Sequence, residues 1–174
     1  MNIFKKFITI FIVLFLFVPS SYSDDKIVYL DLDNVVTNTN AGKSILDQLE
    51  KSKKSTLLTF EKKEKELKIS EDEIKKQKNI ISEEELKKRL FEFRKELSNF
   101  RKERQKVINE FNQKKKVEFD QFFKKITPII EKYVSENNID MVLDRKKVFI
   151  ASKKKDITKE IIKIINANLK WKHI

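Results

Sequence analysis

Two carboxylates near the start of the chain have the spacing of a catalytic pair. Asp31 and Asp33 lie one residue apart in the segment LDLDNVV at positions 30–36. Such a pair after a strand can supply a nucleophile and a general acid for phosphoryl transfer with Mg²⁺. That chemistry also needs a parallel α/β sheet and further Lys and Asp side chains on later strands, whereas a helical pattern follows here. We therefore predict no catalytic residue and no enzyme activity. The alternative is a Mg²⁺-dependent phosphatase that uses Asp31 and Asp33.

Few other side chains are suited to catalysis or metal binding. The chain has no cysteine, which excludes disulfides, thiolate metal sites and cysteine nucleophiles. Its one histidine, His173, lies near the end of the sequence without a cluster of partners, which metal and acid–base sites require. We predict no metal and no cofactor.

The charge is strongly positive and is carried mostly by lysine. There are 39 Lys and Arg residues against 27 Asp and Glu, a formal net charge of +12, and only five of the basic residues are Arg. Lysine is a point charge that supplies a general field rather than fork-shaped recognition. The charge favours anionic surfaces or acidic chains over specific nucleic-acid binding, for which no aromatic-basic motif is present. Solvated helix faces in a lysine-biased composition explain it equally well.

Residues 1–23 have the pattern of a secretory signal peptide. A short start with two lysines precedes an apolar block at 7–18, and Ser21 and Ser23 supply the small residues expected before a cleavage site. The block is shorter than the roughly 20 residues that an ordinary membrane span needs. We expect a mature chain that begins at Asp24 and works outside the cytoplasm. An uncleaved segment would instead make the protein a membrane-tethered coiled-coil spacer.

The remaining sequence predicts a mainly α protein with a small β part. One glycine and two prolines leave little turn chemistry, so the elements must be few and long. We assign a body strand and turn to 24–40, a first long helix to 41–81, a second to 82–136, and body strands with a C-terminal helix to 137–174.

The body is predicted from short β-type runs at both ends of this part of the chain. The first run covers 26–32, and asparagines at 34, 38 and 40 mark the turn after it. The segments 141–144 and 148–151 are predicted as two strands joined by the basic residues 145–147, and Asp156 is predicted to cap the last helix.

A heptad pattern predicts that the two long helices pair. Apolar residues step alternately by four and three over 86–111, and the seam resumes over 119–133. Ser82 and Glu85 have the pattern of a capping box. The rival turn at Ser70 is disfavoured because the strong seam begins directly after Ser82. We expect a long antiparallel coiled-coil hairpin whose arm reaches about 60 Å at 1.5 Å per residue.

The body alone would have a small core, so we expect it to assemble into a multimer through its sheet. The residues predicted to build the body and its subunit contacts are Val28, Leu30, Val142, Leu143, Val148 and Ile150.

Several short segments carry a resemblance to a known family. They are the β-type opening at 26–32, the Ala-Gly-Lys at 41–43, the turn NIISEEE at 79–85 and, most specifically, the tail with IDMVLD at 139–144 and Asp-Ile-Thr at 156–158. Together with the signal peptide, they resemble the Skp/OmpH family of periplasmic chaperones. A seam rich in phenylalanine and a C-terminal extension that contains Trp171 depart from the family pattern.

The resemblance implies both an architecture and a function. It implies a periplasmic homotrimer in which a β body holds three helical hairpins, like tentacles, around a cavity. Unfolded outer-membrane proteins would be held in that cavity without catalysis or ATP.

Two groups of arm residues are candidates for the work of such a chaperone. Apolar side chains away from the seam could contact client chains, unless they pack within the hairpin or against a neighbouring arm; they are Leu58, Ile69, Ile80, Phe91 and Ile108. Basic residues near the turn could attract acidic clients, anionic lipid or lipopolysaccharide; they are Lys75, Lys76, Lys78, Lys87, Lys88 and Arg89.

Overall fold

The computed structural model describes residues 25–171, and it contains long helices beside a two-stranded sheet. In chain order the elements are β1 (Ile27–Leu30), α1 (Leu32–Asn38), α2 (Asn40–Gln77), α3 (Glu83–Glu136), β2 (Met141–Asp144) and α4 (Thr158–Asn168), with 3₁₀ turns at Arg145–Lys147 and Lys153–Lys155. The predicted class, mainly α with a small β part, is confirmed. None of the helices from 25 to 171 contains an apolar stretch long enough to span a bilayer. The predicted signal peptide and His173 lie outside the described residues.

The sheet joins the two ends of the described chain. β1 and β2 pair in parallel, with Ile27 opposite Met141 and Leu30 opposite Asp144. Parallel strands need a long crossover connection, and here both long helices form it. A single bridge from Tyr29 to Asp156 extends the pairing, and the Ile157 N–H donates to the Tyr29 carbonyl over 3.1 Å.

The predicted third strand at 148–151 does not form within the described chain. Asp144 accepts a hydrogen bond from the Lys146 N–H (3.0 Å) and starts a 3₁₀ turn, which ends β2. Arg145 Nη1 then donates to the Val148 carbonyl over 2.7 Å. Because a strand needs a backbone partner and this carbonyl is bonded to a side chain, the segment runs past the sheet without pairing. The prediction of a strand here is wrong for the single chain.

The predicted turn after β1 is a helix instead. α1 begins because the Asp31 carboxylate accepts from the Asn34 N–H over 2.9 Å, which is the geometry of an N-cap. A second cap follows at once, since Thr39 Oγ1 accepts from the Gly42 N–H over 3.2 Å and starts α2. The asparagines that suggested an open turn lie on these two helices.

The turn between the long helices lies where the stronger seam places it. Ser82 is the N-cap of α3, and its Oγ accepts from the Glu85 N–H over 3.3 Å, which confirms Ser82 over Ser70 as the helix start. A capping box also requires the Glu85 side chain to accept from the Ser82 N–H, and that part of the prediction is wrong. The Glu85 carboxylate accepts from Arg89 Nε at 2.8 Å instead.

Contacts between α2 and α3 run in inverse order along the two helices. Arg89 bonds to Gln77 beside the turn, and Lys63 Nζ lies 2.6 Å from Glu96. Farther from the turn, the rings of Phe60 and Phe100 meet edge to face with centroids 6.0 Å apart. The apolar seam on α3 is buried or half-buried throughout, except at Arg104.

The apolar residues of α2 form a less regular seam than those of α3. Leu46 and Leu57 are exposed, whereas Leu49 and Leu67 are buried. Between the buried leucines, half-buried positions are occupied by polar residues such as Thr56 and Lys63. The polar positions explain why the heptad pattern of α2 is weak in the sequence.

One apolar core joins the sheet to the roots of the long helices. Val28 and Leu30 of β1 pack with Val35 of α1, Ile45 and Leu49 of α2, Phe122 and Ile126 of α3, and Ile161 and Ile165 of α4. The Asn40 N–H at the start of α2 donates to Asn166 Oδ1 of α4 over 2.7 Å. The N-cap of α4 is Ile157, which has no side-chain capping bond, and not the predicted Asp156. The Asp156 carboxylate does accept from the Thr158 N–H over 2.9 Å just before the helix. The body therefore holds the first turns of α2 and the last turns of α3.

Helix α3 contains a proline and ends at two asparagines. Pro128 lies inside the helix. The C-cap is Asn137, and Asn138 has φ of 49°, the left-handed conformation that asparagine tolerates better than most residues.

Candidate functional site

Four exposed apolar side chains lie on the long helices, and a fifth, Ile80, lies in the turn between α2 and α3. The predicted client-contact residues are all exposed, from 39% for Ile108 to 80% for Ile80. The full set is Leu58, Ile69, Ile80, Phe91 and Ile108, and we call it the outer apolar set. Each neighbours the seam in sequence but faces away from it. Packing between α2 and α3 of one chain therefore does not account for these side chains.

A cleft of about 360 Å³ lies between the two helices on the turn side of Phe100. Its apolar lining comes from Leu67, Phe93, Leu97 and Phe100, and its rim is charged. At the rim, Arg104 lies over the Phe60 ring at 5.8 Å and its Nη1 is 3.0 Å from Glu64. The heptad pattern does not predict this cleft, because the pattern indicates only that seam residues close the helix pair.

Ion pairs balance the basic residues near the turn. Lys75 Nζ lies 2.7 Å from Glu71, and Lys87 Nζ lies 2.6 Å from Glu83. Hydrogen bonds from Lys75 and Lys68 hold the pKa of the Glu71 carboxyl below its usual value. Over residues 71–89 the sequence contains six basic and six acidic side chains, so this region carries no net formal charge.

The densest positive charge lies in the body instead. Residues 145–155 contain six basic and no acidic side chains. Between the two basic turns, Phe149 and Ile150 are 95% and 82% exposed. Lys146 has an ion pair with Asp33, 2.7 Å away, and the hydrogen bond from Lys146 to that carboxylate raises the Lys146 pKa.

The six predicted body residues separate into two groups. Val28 and Leu30 are buried in the core of the chain, and Val142 is half-buried beside it. Leu143 and Ile150 are exposed, and Val148 is half-buried at the edge of a polar groove. On the sheet, Leu143 lies two residues from Met141, which pairs with Ile27, and both of these residues are also exposed.

Asp31 and Asp33 have structural partners. Asp31 caps α1, and its N–H donates to Thr158 Oγ1 over 3.0 Å. Asp33 lies on α1 in the ion pair with Lys146. Within residues 25–171, no group of three or more acidic or histidine side chains is arranged to hold a metal ion. The two residues that suggested a phosphatase therefore have structural roles here: Asp31 starts α1, and Asp33 links α1 to the 3₁₀ turn at Arg145–Lys147.

These features define a class: a mainly helical protein whose two long helices are rooted in a small α/β body. A search of solved structures found the same fold in a crystal structure from Caulobacter crescentus, described as a candidate outer membrane chaperone (OmpH-like). The TM-score is 0.75, and the match covers 86% of this chain and 89% of that one at 14% identity. A search of the curated proteins found no significant match.

The family model for OmpH-like outer membrane protein matches residues 26–165. The chain therefore belongs to the OmpH-like family, and the resemblance drawn from the sequence is confirmed. The match ends before Trp171.

Proposed function

We propose that this protein is an ATP-independent holdase chaperone that binds unfolded outer-membrane proteins and prevents their aggregation in the periplasm. The observation that carries the proposal is the outer apolar set on the two long helices and the turn between them. Five large apolar side chains are spread over α2, α3 and that turn rather than gathered in one pocket. A client without fixed structure can meet such dispersed sites in many arrangements, because no single geometry is required of it.

The architecture proposed for the working protein is a homotrimer with three helical arms around a client space. We call the part of α2 and α3 beyond the core, residues 50–118, the arm. The exposed Leu143, Phe149 and Ile150 of the body, together with Ile27 and Met141, are proposed as subunit contacts. Membership of the OmpH-like family and the fold shared with the Caulobacter crescentus protein support this assembly.

Charge would assist the capture of clients. The full chain has a net formal charge of +12, and the mature chain without Lys5 and Lys6 has about +10. This charge would attract acidic chains over a Debye length of about 8 Å at physiological salt. Because the formal charges of residues 71–89 around the turn sum to zero, this field comes from the remainder of the chain. Contact of the turn with anionic lipid or lipopolysaccharide stays a prediction.

The proposal is tested by mixing the mature protein with a urea-unfolded outer-membrane protein and diluting the urea. Light scattering should show that aggregation is suppressed, and mass measurement should show a complex. In the triple variant Ile69→Ser, Ile80→Ser, Phe91→Ser, client affinity should fall about tenfold or more, since burial of each side chain contributes up to about 1–3 kcal/mol.

The matched control replaces three exposed polar residues of the same helices, Ser55→Ala, Ser98→Ala and Asn112→Ala. It should protect the client as the wild type does. Aggregation that proceeds equally with and without the wild-type protein would reject the chaperone function. Equal affinity of the triple variant and the wild type would reject the outer apolar set as the binding surface.

A further inference from the structure

The chain's one tryptophan contacts the helix that leads into the arm. The Trp171 ring meets Phe122 of α3 edge to face, with centroids 6.1 Å apart and planes at 67°. Lys125 Nζ lies 4.6 Å from the centre of the same ring. Phe122 is fully buried. The tail after α4 therefore packs on the core at the root of the arm.

The cleft that α4 shares with α3 and the ring contacts of the tail after α4 lie on opposite sides of Pro128. Ile164 and Asn168 of α4 face Ile129 and Tyr133 across a shared cleft, on the C-terminal side of the proline. After Asn168 the chain leaves the helix, with Leu169 in an extended conformation. Trp171 then reaches residues 122 and 125 on the N-terminal side. The tail thus spans the proline along the surface of α3.

Helix α3 is weakened where the tail crosses it. Proline has no N–H to donate to the carbonyl four residues earlier, and its ring crowds that carbonyl, so helices bend or kink at such positions. Thr127 Oγ1 also donates to the Phe123 carbonyl over 2.8 Å, a side-chain bond that often bends helices. The segment 124–128 is therefore a natural bending point of α3 within the body, close to the root of the arm.

We propose that Leu169–Trp171 is a strap across this bending point and that Trp171 is the positioning residue that fixes the angle of the arm. The ring contacts with Phe122 and Lys125, on the side of Pro128 from which α3 continues into the arm, restrain the tilt that the proline would otherwise permit. The consequence for clients rests on the proposed function: the strap limits how far the arms spread and hence the size of the client space.

The strap is tested by measuring the distance from body to arm. Because the chain has no cysteine, Lys102→Cys on α3 and Lys159→Cys on α4, both exposed, give two unique spin-label sites. Labelled chains are diluted with excess unlabelled protein, so that distances within one chain dominate the pulsed electron spin resonance signal. Trp171→Ala should at least double the width of the distance distribution.

Two further variants separate the strap from general loss of packing. Trp171→Phe retains a ring against Phe122 and should restore a narrow distribution. Pro128→Ala restores the helix N–H, and in this background Trp171→Ala should broaden the distribution far less. Equal widths for the wild type and Trp171→Ala would overturn the proposal, and so would equal broadening with and without Pro128.

The same samples separate failure of the strap from failure of the proposed function. The spin-label distances need no client, so they decide the strap alone. If the wild type does not protect an unfolded client, the proposed function fails, while the distances still show whether Trp171 restrains the arm.

Discussion

The single glycine of the chain shows how one residue sets a helix start. Gly42 lies in the first turn of α2, where α1 ends and the chain folds back on itself. A Cβ atom built there would lie 1.9 Å from the Val36 carbonyl oxygen and 2.9 Å from Thr39 Oγ1. No real Cβ approaches a backbone oxygen so closely, so the two helices can meet at this angle only with glycine.

Replacing Gly42 by alanine should destabilise the body. Because the atom in the way belongs to backbone, α1 or α2 must shift, and we expect a loss of about 2 kcal/mol or more. Urea unfolding followed by circular dichroism measures the loss. The exposed neighbour Lys43→Ala should change stability by less than about 0.5 kcal/mol. A Gly42→Ala protein as stable as the control would show that this junction relaxes freely.

At the scale of elements, the turn between α2 and α3 is held by capping and charge. Ser82 caps the start of α3, and three glutamates fill its first turn, where the helix dipole favours negative charge. A hydrogen bond from Arg89 holds the pKa of the Glu85 carboxyl below its usual value of 4.5. A lowered carboxyl pKa means that the charged form stabilises the folded turn above that value, and that the stabilisation is lost as the pH falls through the lowered pKa.

Replacing Arg89 by glutamine should raise the pKa of Glu85 toward 4.5, because the charged hydrogen-bond donor is lost. Carbon-detected NMR titration of the glutamate carboxyl groups measures this directly. Glu71 lies on α2 and is paired with Lys68 and Lys75 of the same helix, so its pKa should stay lowered in the same sample. A Glu85 titration that is unchanged by the substitution would show that Arg89 does not stabilise its charge.

Elements with strong local signals could be predicted from the sequence, and those that depend on tertiary partners could not. The Ser82 cap and the seam of α3 are local patterns of two or three turns. The segment 148–151 has β-type residues, but a strand exists only when another backbone pairs with it. α1 was missed because its cap and asparagines also suit a turn. The outer apolar set was found by subtracting the seam, whereas the cleft beside Phe100 requires knowing how closely the two helices approach.

On the scale of the whole molecule, charge and apolar exposure coincide in the body. Residues 145–155 combine six basic side chains with the two most exposed large apolar side chains of the described chain, Phe149 and Ile150. Burial of that pair against another subunit would remove apolar surface from water. It would also bring like charges together, unless they meet the aspartates near β1. We therefore expect assembly to depend on this segment and to strengthen with salt.

The double variant Phe149→Ser, Ile150→Ser should weaken the proposed trimer about tenfold or more, since it removes two apolar contacts per subunit interface. Sedimentation equilibrium over a range of concentrations measures the mass. The matched control Ile80→Ser, equally apolar and 80% exposed near the turn, should leave the mass unchanged. A double variant with the wild-type mass at every concentration would place the subunit contacts elsewhere.

The parallel pairing of β1 with β2 also orders the events of folding. Ile27 meets Met141, so the first strand cannot find its partner until most of the chain is available to fold. Closing so long a loop directly would be slow, because closure entropy and contact order both grow with separation along the chain. Zipping of α2 onto α3 from the Ser82 turn shortens that search, since it brings the first turns of α2 close to the region of Phe122 on α3 before the strands meet. The arm should thus mature first, and the body should be the last part to close.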